Sequence, residues 1–163
     1  MELSKLDSLV GRTVRIGRVG PESRCGKLLK ISSDHLVLYC EDEGVIYYKA
    51  NHIKSISLDA KDYSNATSVD PNYVAPQYLE VDTFEQVLEG MKNRWVQINR
   101  GPDRVEGVLA ENYDDRLVLV SKNEVVTIFN FHIKNISYEV KQDKEKKEQQ
   151  EKGKKDENKN DKK

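Results

Sequence analysis

Most of this chain is written twice, and a duplication constrains the fold before any single residue is interpreted. The stretch "TVRIGRVGPESRCGKLLKISSDHLVLYCEDEGVIYYKANHIKSISL", from Thr13, aligns with "WVQINRGPDRVEGVLAENYDDRLVLVSKNEVVTIFNFHIKNISY", from Trp95. Val14 and Ile16 match Val96 and Ile98, Gly20-Pro21 matches Gly101-Pro102, Gly26 matches Gly107, and Leu36-Val37-Leu38 matches Leu117-Val118-Leu119. The offset drifts from 82 to 80 residues, and each deletion falls where a loop is expected. Both repeats close on one signature, "HIKSIS" from His52 and "HIKNIS" from His132.

Within each repeat the apolar residues alternate, which places them on one face of a strand. The pattern predicts strands near residues 13–16, 26–31, 35–40, 45–49 and 53–58, and again near 95–98, 107–111, 116–121, 124–129 and 133–140. Leu3, Leu6, Leu9 and Val10 recur at helical spacing ahead of the first set, as do Phe84, Val87, Leu88 and Met91 ahead of the second, with Asp82 or Thr83 as N-cap. One short helix followed by five short, curved strands is the Sm-like or SH3-like small barrel. The expected fold is therefore mainly β: two tandem five-stranded Sm/SH3-like barrels, each preceded by a short helix. Gly26 and Gly107 would stand where the second strand must bend. A module of this size is marginal alone, so the barrels are expected to pack together.

Charge sets the outer boundaries. Residues 141–163 hold ten Lys against seven Asp and Glu, contain no apolar side chain, and so have nothing to bury against the entropy of ordering: a disordered Lys/Glu-rich tail is expected. Residues 59–91 carry seven acids against Lys61 alone. The expected organisation is 1–58, first barrel with its helix; 59–81, an acidic linker containing Pro71, Pro76, Tyr63, Tyr73 and Tyr78, whose rings can lie across a barrel; 82–140, second barrel; 141–163, tail. The N-terminal residues show no apolar run of signal-peptide length and no segment is long enough to span a membrane, which implies cytoplasmic synthesis and no membrane partner.

Three groups of residues carry side chains capable of chemistry. His52 and Lys54, with His132 and Lys134, have the residue types of a phosphate or base site, but no carboxylate, serine or cysteine recurs beside them, so a catalytic relay lacks its other members. The favoured reading makes each histidine a turn residue bonded to backbone, while Ile53, Ile56, Ile133 and Ile136 fill the barrels. His35, present in one repeat only, is expected at a surface turn. The loops Gly20-Pro21-Glu22 and Gly101-Pro102-Asp103 can offer backbone amides to an anion, with Arg18 and Arg100 near. Their proline lacks a donor and their acids repel phosphate, so a tight connection is favoured. Cys25 and Cys40 lack metal spacing and have no counterparts in the second repeat. They read as inert thiols that can cross-link, to each other or to a partner, only in an oxidising setting. No enzyme, metal or cofactor is expected.

"GKLLKISSDHLVL" and "GVLAENYDDRLVL" share a Gly, a Leu and an Asp with the first Sm motif. The Asn that follows this Asp in RNA-binding Sm proteins is replaced by Val37 or Leu117, and the Arg-Gly of the second motif is missing. Residues 11–58 carry +3, 92–140 are neutral and 59–91 carry −6, so no continuous basic footprint forms and nucleic acid is disfavoured.

The combination "GPESxxGKL", "VIYYxxxHIKSIS" and "WVQINRGPxxxEGVL...FHIKNIS" resembles the repeated N-terminal region of the Bacillus spore coat protein B family, across nearly all of residues 9–140. The resemblance implies a structural component of the endospore outer coat, made in the mother cell and deposited by binding other spore coat proteins, with self-association a further option. Long family members carry a serine-, lysine- and arginine-rich tail associated with phosphorylation; the tail here holds no serine, so kinase dependence does not carry over. Open barrels expose strand edges, which suits assembly by edge pairing. The alternative is an Sm-like RNA- or anion-binding module using His52, Lys54, His132 and Lys134.

Overall fold

The computed structural model describes residues 3–64 and 69–138. The tail predicted at 141–163 lies outside them. Ten strands form one antiparallel sheet: β1 (Thr13–Ile16), β2 (Arg24–Ile31), β3 (His35–Cys40), β4 (Gly44–Lys49), β5 (Ile56–Ser57), β6 (Trp95–Ile98), β7 (Val105–Asn112), β8 (Arg116–Ser121), β9 (Glu124–Phe129) and β10 (Asn135–Tyr138). Their spatial order is β5-β1-β2-β3-β4-β10-β6-β7-β8-β9. The first five places and the last five follow the same pattern, so each half of the chain arranges its strands alike.

The fold is mainly β as expected, and its sheet is not closed into two barrels. Closure would pair the fourth strand of each half with its own fifth. Instead β4 pairs with β10, so the sheet passes from one half into the other and stays open, ending at β5 and β9. The last strands also start later than the alternation suggested. Tight 3-10 turns at Ala50–His52 and Asn130–His132 precede each predicted segment, and pairing begins only at Ile56 in β5 and at Asn135 in β10.

Alternation explains where the cores lie. On β3 and β4, Leu36, Leu38, Ile46 and Tyr48 point into a first cluster with Leu3, Val14, Ile16 and Leu28. Val37, Val45 and Tyr47, on the opposite face of the same strands, enter a second cluster with Phe84, Met91, Val96, Ile98, Leu117, Ile133 and Ile136. The first half thus supplies part of the second half's core. Both faces of β3 are covered, and His35 is buried rather than at a surface turn, its ring set edge-on to Phe84 and its Nδ1 2.8 Å from Asp34 Oδ1.

Among the described residues two α-helices accompany the sheet, α1 (Ala60–Ser64) and α2 (Phe84–Gly90). In α2, Thr83 and Gln86 form a capping box, and the Asp34 carboxylate of the first half accepts from the Phe84 N–H at 2.9 and 3.0 Å. The predicted leading helix takes the 3-10 form over Leu3–Leu9, with three-residue bonds such as Val10 N–H to Asp7 O continuing past it. The segment between the halves runs over the sheet: Tyr73 lies under the Lys27 ammonium, 3.6 Å from ring centre, and the Leu79 N–H donates to the Tyr47 hydroxyl at 2.7 Å, whereas Tyr63 is exposed.

Candidate functional site

The feature that organises the molecule is the junction between the two halves. Along it Asn135 faces Tyr48, Ile136 faces Tyr47, and Ser137 faces Ile46, with the Lys49 N–H donating to Lys134 O at 2.9 Å. At one end sits Arg100, just after β6 and 1% exposed. Its guanidinium donates to Glu43 Oε2 (2.8 Å), Asn99 O (3.1 Å), Asn135 Oδ1 (3.0 Å) and Ser137 Oγ (2.6 Å). Glu43 belongs to the β3–β4 turn of the first half and also takes Arg24 Nε at 2.6 Å. Burial draws the Arg100 pKa down while the Glu43 carboxylate opposes it. A buried guanidinium keeps its charge, so the pair is an ion pair with its donors met.

The predicted site residues gather at this junction unequally. Lys134 Nζ reaches Glu22 Oε1 at 2.7 Å and Asp103 Oδ2 at 3.5 Å, and these partners raise its pKa. One lysine of the closing signature therefore ties down both Gly-Pro-acid loops. Gly101, with φ +74°, packs on Pro21 and Glu22, so an added Cβ would lie 3.1 Å from Glu22 Cγ. Gly20 has φ +102°, and Pro102 lies in the short 3-10 turn Gly101–Asp103. His52 is half-buried and meets the ring of Phe131 edge-on at 6.0 Å, and Phe131 meets His132 at 5.2 Å. Burial first, then Lys49, lowers the His52 pKa against a backbone hydrogen bond with Phe131. His132 and Lys54 are exposed. Lys134, the predicted cation brought into this cluster, is held by carboxylates, an arrangement that does not favour an anion.

Gly26 and Gly107 mark a close approach of strands. A Cβ at Gly26 would fall on the Tyr39 carbonyl, and one at Gly107 would stand 2.7 Å from Val120 O. The bend itself comes three residues on, as a bulge between Leu28 and Lys30 and its match between Leu109 and Glu111. Cys25 and Cys40 are free thiols, the first exposed and the second buried. Register extended from Lys27 opposite Tyr39 sets Gly26 opposite Cys40. Neighbouring Cys25 then points to the other face, and a bond between the two needs the strands to move. Burial pushes the Cys40 thiol up to about 11. Among the described residues, no group of three His, Cys, Asp or Glu has metal-holding geometry, and no helix is long and apolar enough to cross a membrane.

Sequence reasoning missed Glu43, Asn99, Asn135, Ser137 and Tyr47 as the partners that make the junction. The signal available was the contrast between matched positions, Tyr47 against Thr127 and Glu43 against Asn123. It also missed the state of the far edge. On β9, Val125 is 71% exposed and Phe129 56%, with Phe131 at 76% just beyond, while the matching β4 residue Val45 is buried.

Over 135 residues the chain is 35% identical to Spore coat protein B of Bacillus subtilis (strain 168), a match covering 82% of this chain and 34% of that protein. The chain is a relative of the spore coat protein B family. It spans about a third of the length of the curated relative it matches. No family model and no solved structure matches it. The region shared with spore coat protein B is long enough to take in both halves and the junction between them.

Proposed function

We propose that this protein is a non-enzymatic structural component of the bacterial endospore coat, which assembles through contacts with other coat proteins. The kinship to spore coat protein B over 82% of the chain carries the reading. The apolar β9 edge supports it, because an exposed strand edge bearing Val125 and Phe129 is a surface that a soluble monomer ordinarily blunts. We further read residues 1–58 and 82–140 as two units of one duplicated, Sm/SH3-like plan, each left open at its fourth strand and joined by 59–81. The shared strand order, the matched bulges and the paired 3-10 turns support that division. Lys134, bound to two carboxylates, serves the junction in this reading. Synthesis belongs to the mother cell and the outer coat is the destination.

The test is to extract purified spores, separate coat from core, and blot for this protein, with a fluorescent fusion followed through sporulation. The protein is expected in the coat fraction and as a shell around the forespore. Its absence from the coat fraction overturns the proposal.

A further inference from the structure

We infer that molecules of this protein add to one another head to tail, β9 of one pairing antiparallel with β5 of the next, by repeating the junction that already joins β4 to β10 inside each chain. The inference rests on the coat-assembly reading and names its partner: a second copy of the same chain.

The geometry comes from the alignment of the halves. β9 matches β4 and β5 matches β10, and these are the two edges the ten-stranded order leaves unpaired. In the chain Ser137 faces Ile46, Ile136 faces Tyr47, and Asn135 faces Tyr48. Carried over, Ser57 faces Val126, Ile56 faces Thr127, and Ser55 faces Ile128. Phe129 holds the same register on β8 as Lys49 does on β3. The alternation that aims the Lys49 N–H at Lys134 O therefore aims the N–H groups of Val125, Thr127 and Phe129 away from β8, toward a partner.

Side chains complement as well. At the β5 end an apolar cleft of about 240 Å³ is lined by Leu6, Leu9, Ile53 and Ile56, among others, and exposed apolar residues stand on β9. Exposed Arg18 and Lys54 match Arg100 and Lys134, and Ser55 and Ser57 match the acceptors Asn135 and Ser137. At the other edge Glu124 is exposed at the start of β9. A contact between unlike surfaces builds a filament or a ring and does not stop at a pair unless two junctions close it.

The experiment uses the full chain in a C25S background. Ser57→Cys combined with Val126→Cys places thiols at a non-hydrogen-bonded pair, the closest approach in an antiparallel ladder, and mild oxidation at the highest soluble concentration should give a ladder of covalent oligomers. Ser57→Cys with Thr127→Cys, one residue out of register, should give at least ten-fold less. Thr127→Pro removes an outward N–H without touching the β8 ladder; it should stay folded by circular dichroism and sediment as a monomer. Concentration-dependent sedimentation of the unmodified chain should show growth beyond a dimer. No ladder, an equal ladder in the shifted register, a bond closed within one chain, or assembly by Thr127→Pro as strong as wild type overturns the inference. A ladder in vitro with no protein in coat extracts would sink the coat reading and leave this one standing. Coat protein without a ladder would do the reverse.

Discussion

Replacing Arg100 by alanine tests whether the two halves are one structure. The guanidinium is fully buried and bonded to four acceptors, of which Asn135 Oδ1 and Ser137 Oγ lie deep in the junction. Breaking a buried pair costs about 3–5 kcal/mol. An orphaned buried acceptor costs about 1–3 kcal/mol. Glu43 moderates the total, because its side chain is 27% exposed and Arg24 still holds it at 2.6 Å. A net loss of about 4 kcal/mol follows, which at a urea slope of about 2 kcal/mol/M lowers the midpoint by about 2 M. The assay is urea unfolding followed by far-ultraviolet circular dichroism, which sees all ten strands, and by fluorescence of Trp95, the sole tryptophan, in β6. Both signals should move together, since β4 and β10 share one ladder. A loss below about 1 kcal/mol, or a midpoint shift in the Trp95 signal alone, would refute the claim that Arg100 pins one half to the other.

Other consequences are as direct. Gly26→Ala should lower thermal stability by about 1–3 kcal/mol and Gly107→Ala by less, because the first added methyl meets the Tyr39 carbonyl and the second has slightly more room; equal effects would count against the close-approach argument. Iodoacetamide on the native protein should alkylate Cys25 alone, since Cys40 is buried with its thiol pushed up to about 11, and mass spectrometry should find both modified only after denaturation. His52 has its pKa lowered by burial and by Lys49, so the folded state holds fewer protons than the unfolded state. Its contribution is present above the ordinary imidazole pKa of 6.5 and is lost as pH falls through it. The unfolding free energy of wild type should then drop more between about pH 7.5 and 5.5 than that of His52→Gln, and a smaller drop would disprove the sign.

Local pattern made the strands readable, and competition between distant strands hid the closure. Val14 and Ile16, or Val96 and Ile98, alternate so plainly that β1 and β6 have the predicted bounds. Whether β4 pairs with β5 or β10 is decided between two nearly identical segments, "HIKSIS" and "HIKNIS", and alternation does not separate them. What separates them lies elsewhere: Arg100 and Lys134 reach Glu43 and Glu22 across the junction, and Tyr47 fills the core beneath α2. The burial of His35 has the same origin. Its turn is polar in sequence, yet Phe84 from the other half covers it.

The same comparison sets how strongly molecules should associate. Inside the chain the junction seals with Tyr47, which is completely buried; at the matching place on β9 stands Thr127. A buried aromatic ring removes 150–250 Å² from water, about 4 kcal/mol at ~25 cal/mol/Å², of which a threonine recovers a minor share. Asn123 stands where Glu43 does, so the Arg100 ion pair has a weaker analogue between molecules. The intermolecular junction should therefore be weaker by about 3 kcal/mol in its apolar part, roughly a hundred-fold in dissociation constant, and should form where the protein is concentrated. Thr127→Phe restores a ring without the hydroxyl, which in Tyr47 accepts from the linker residue Leu79. It should move the onset of assembly in sedimentation to about one hundredth of the wild-type concentration. The partner-edge change Ile56→Asp should cancel that gain, because Ile56 faces Thr127 in the predicted register. If Thr127→Phe gains association that Ile56→Asp leaves intact, the ring is finding some other surface, and the β9–β5 register is wrong.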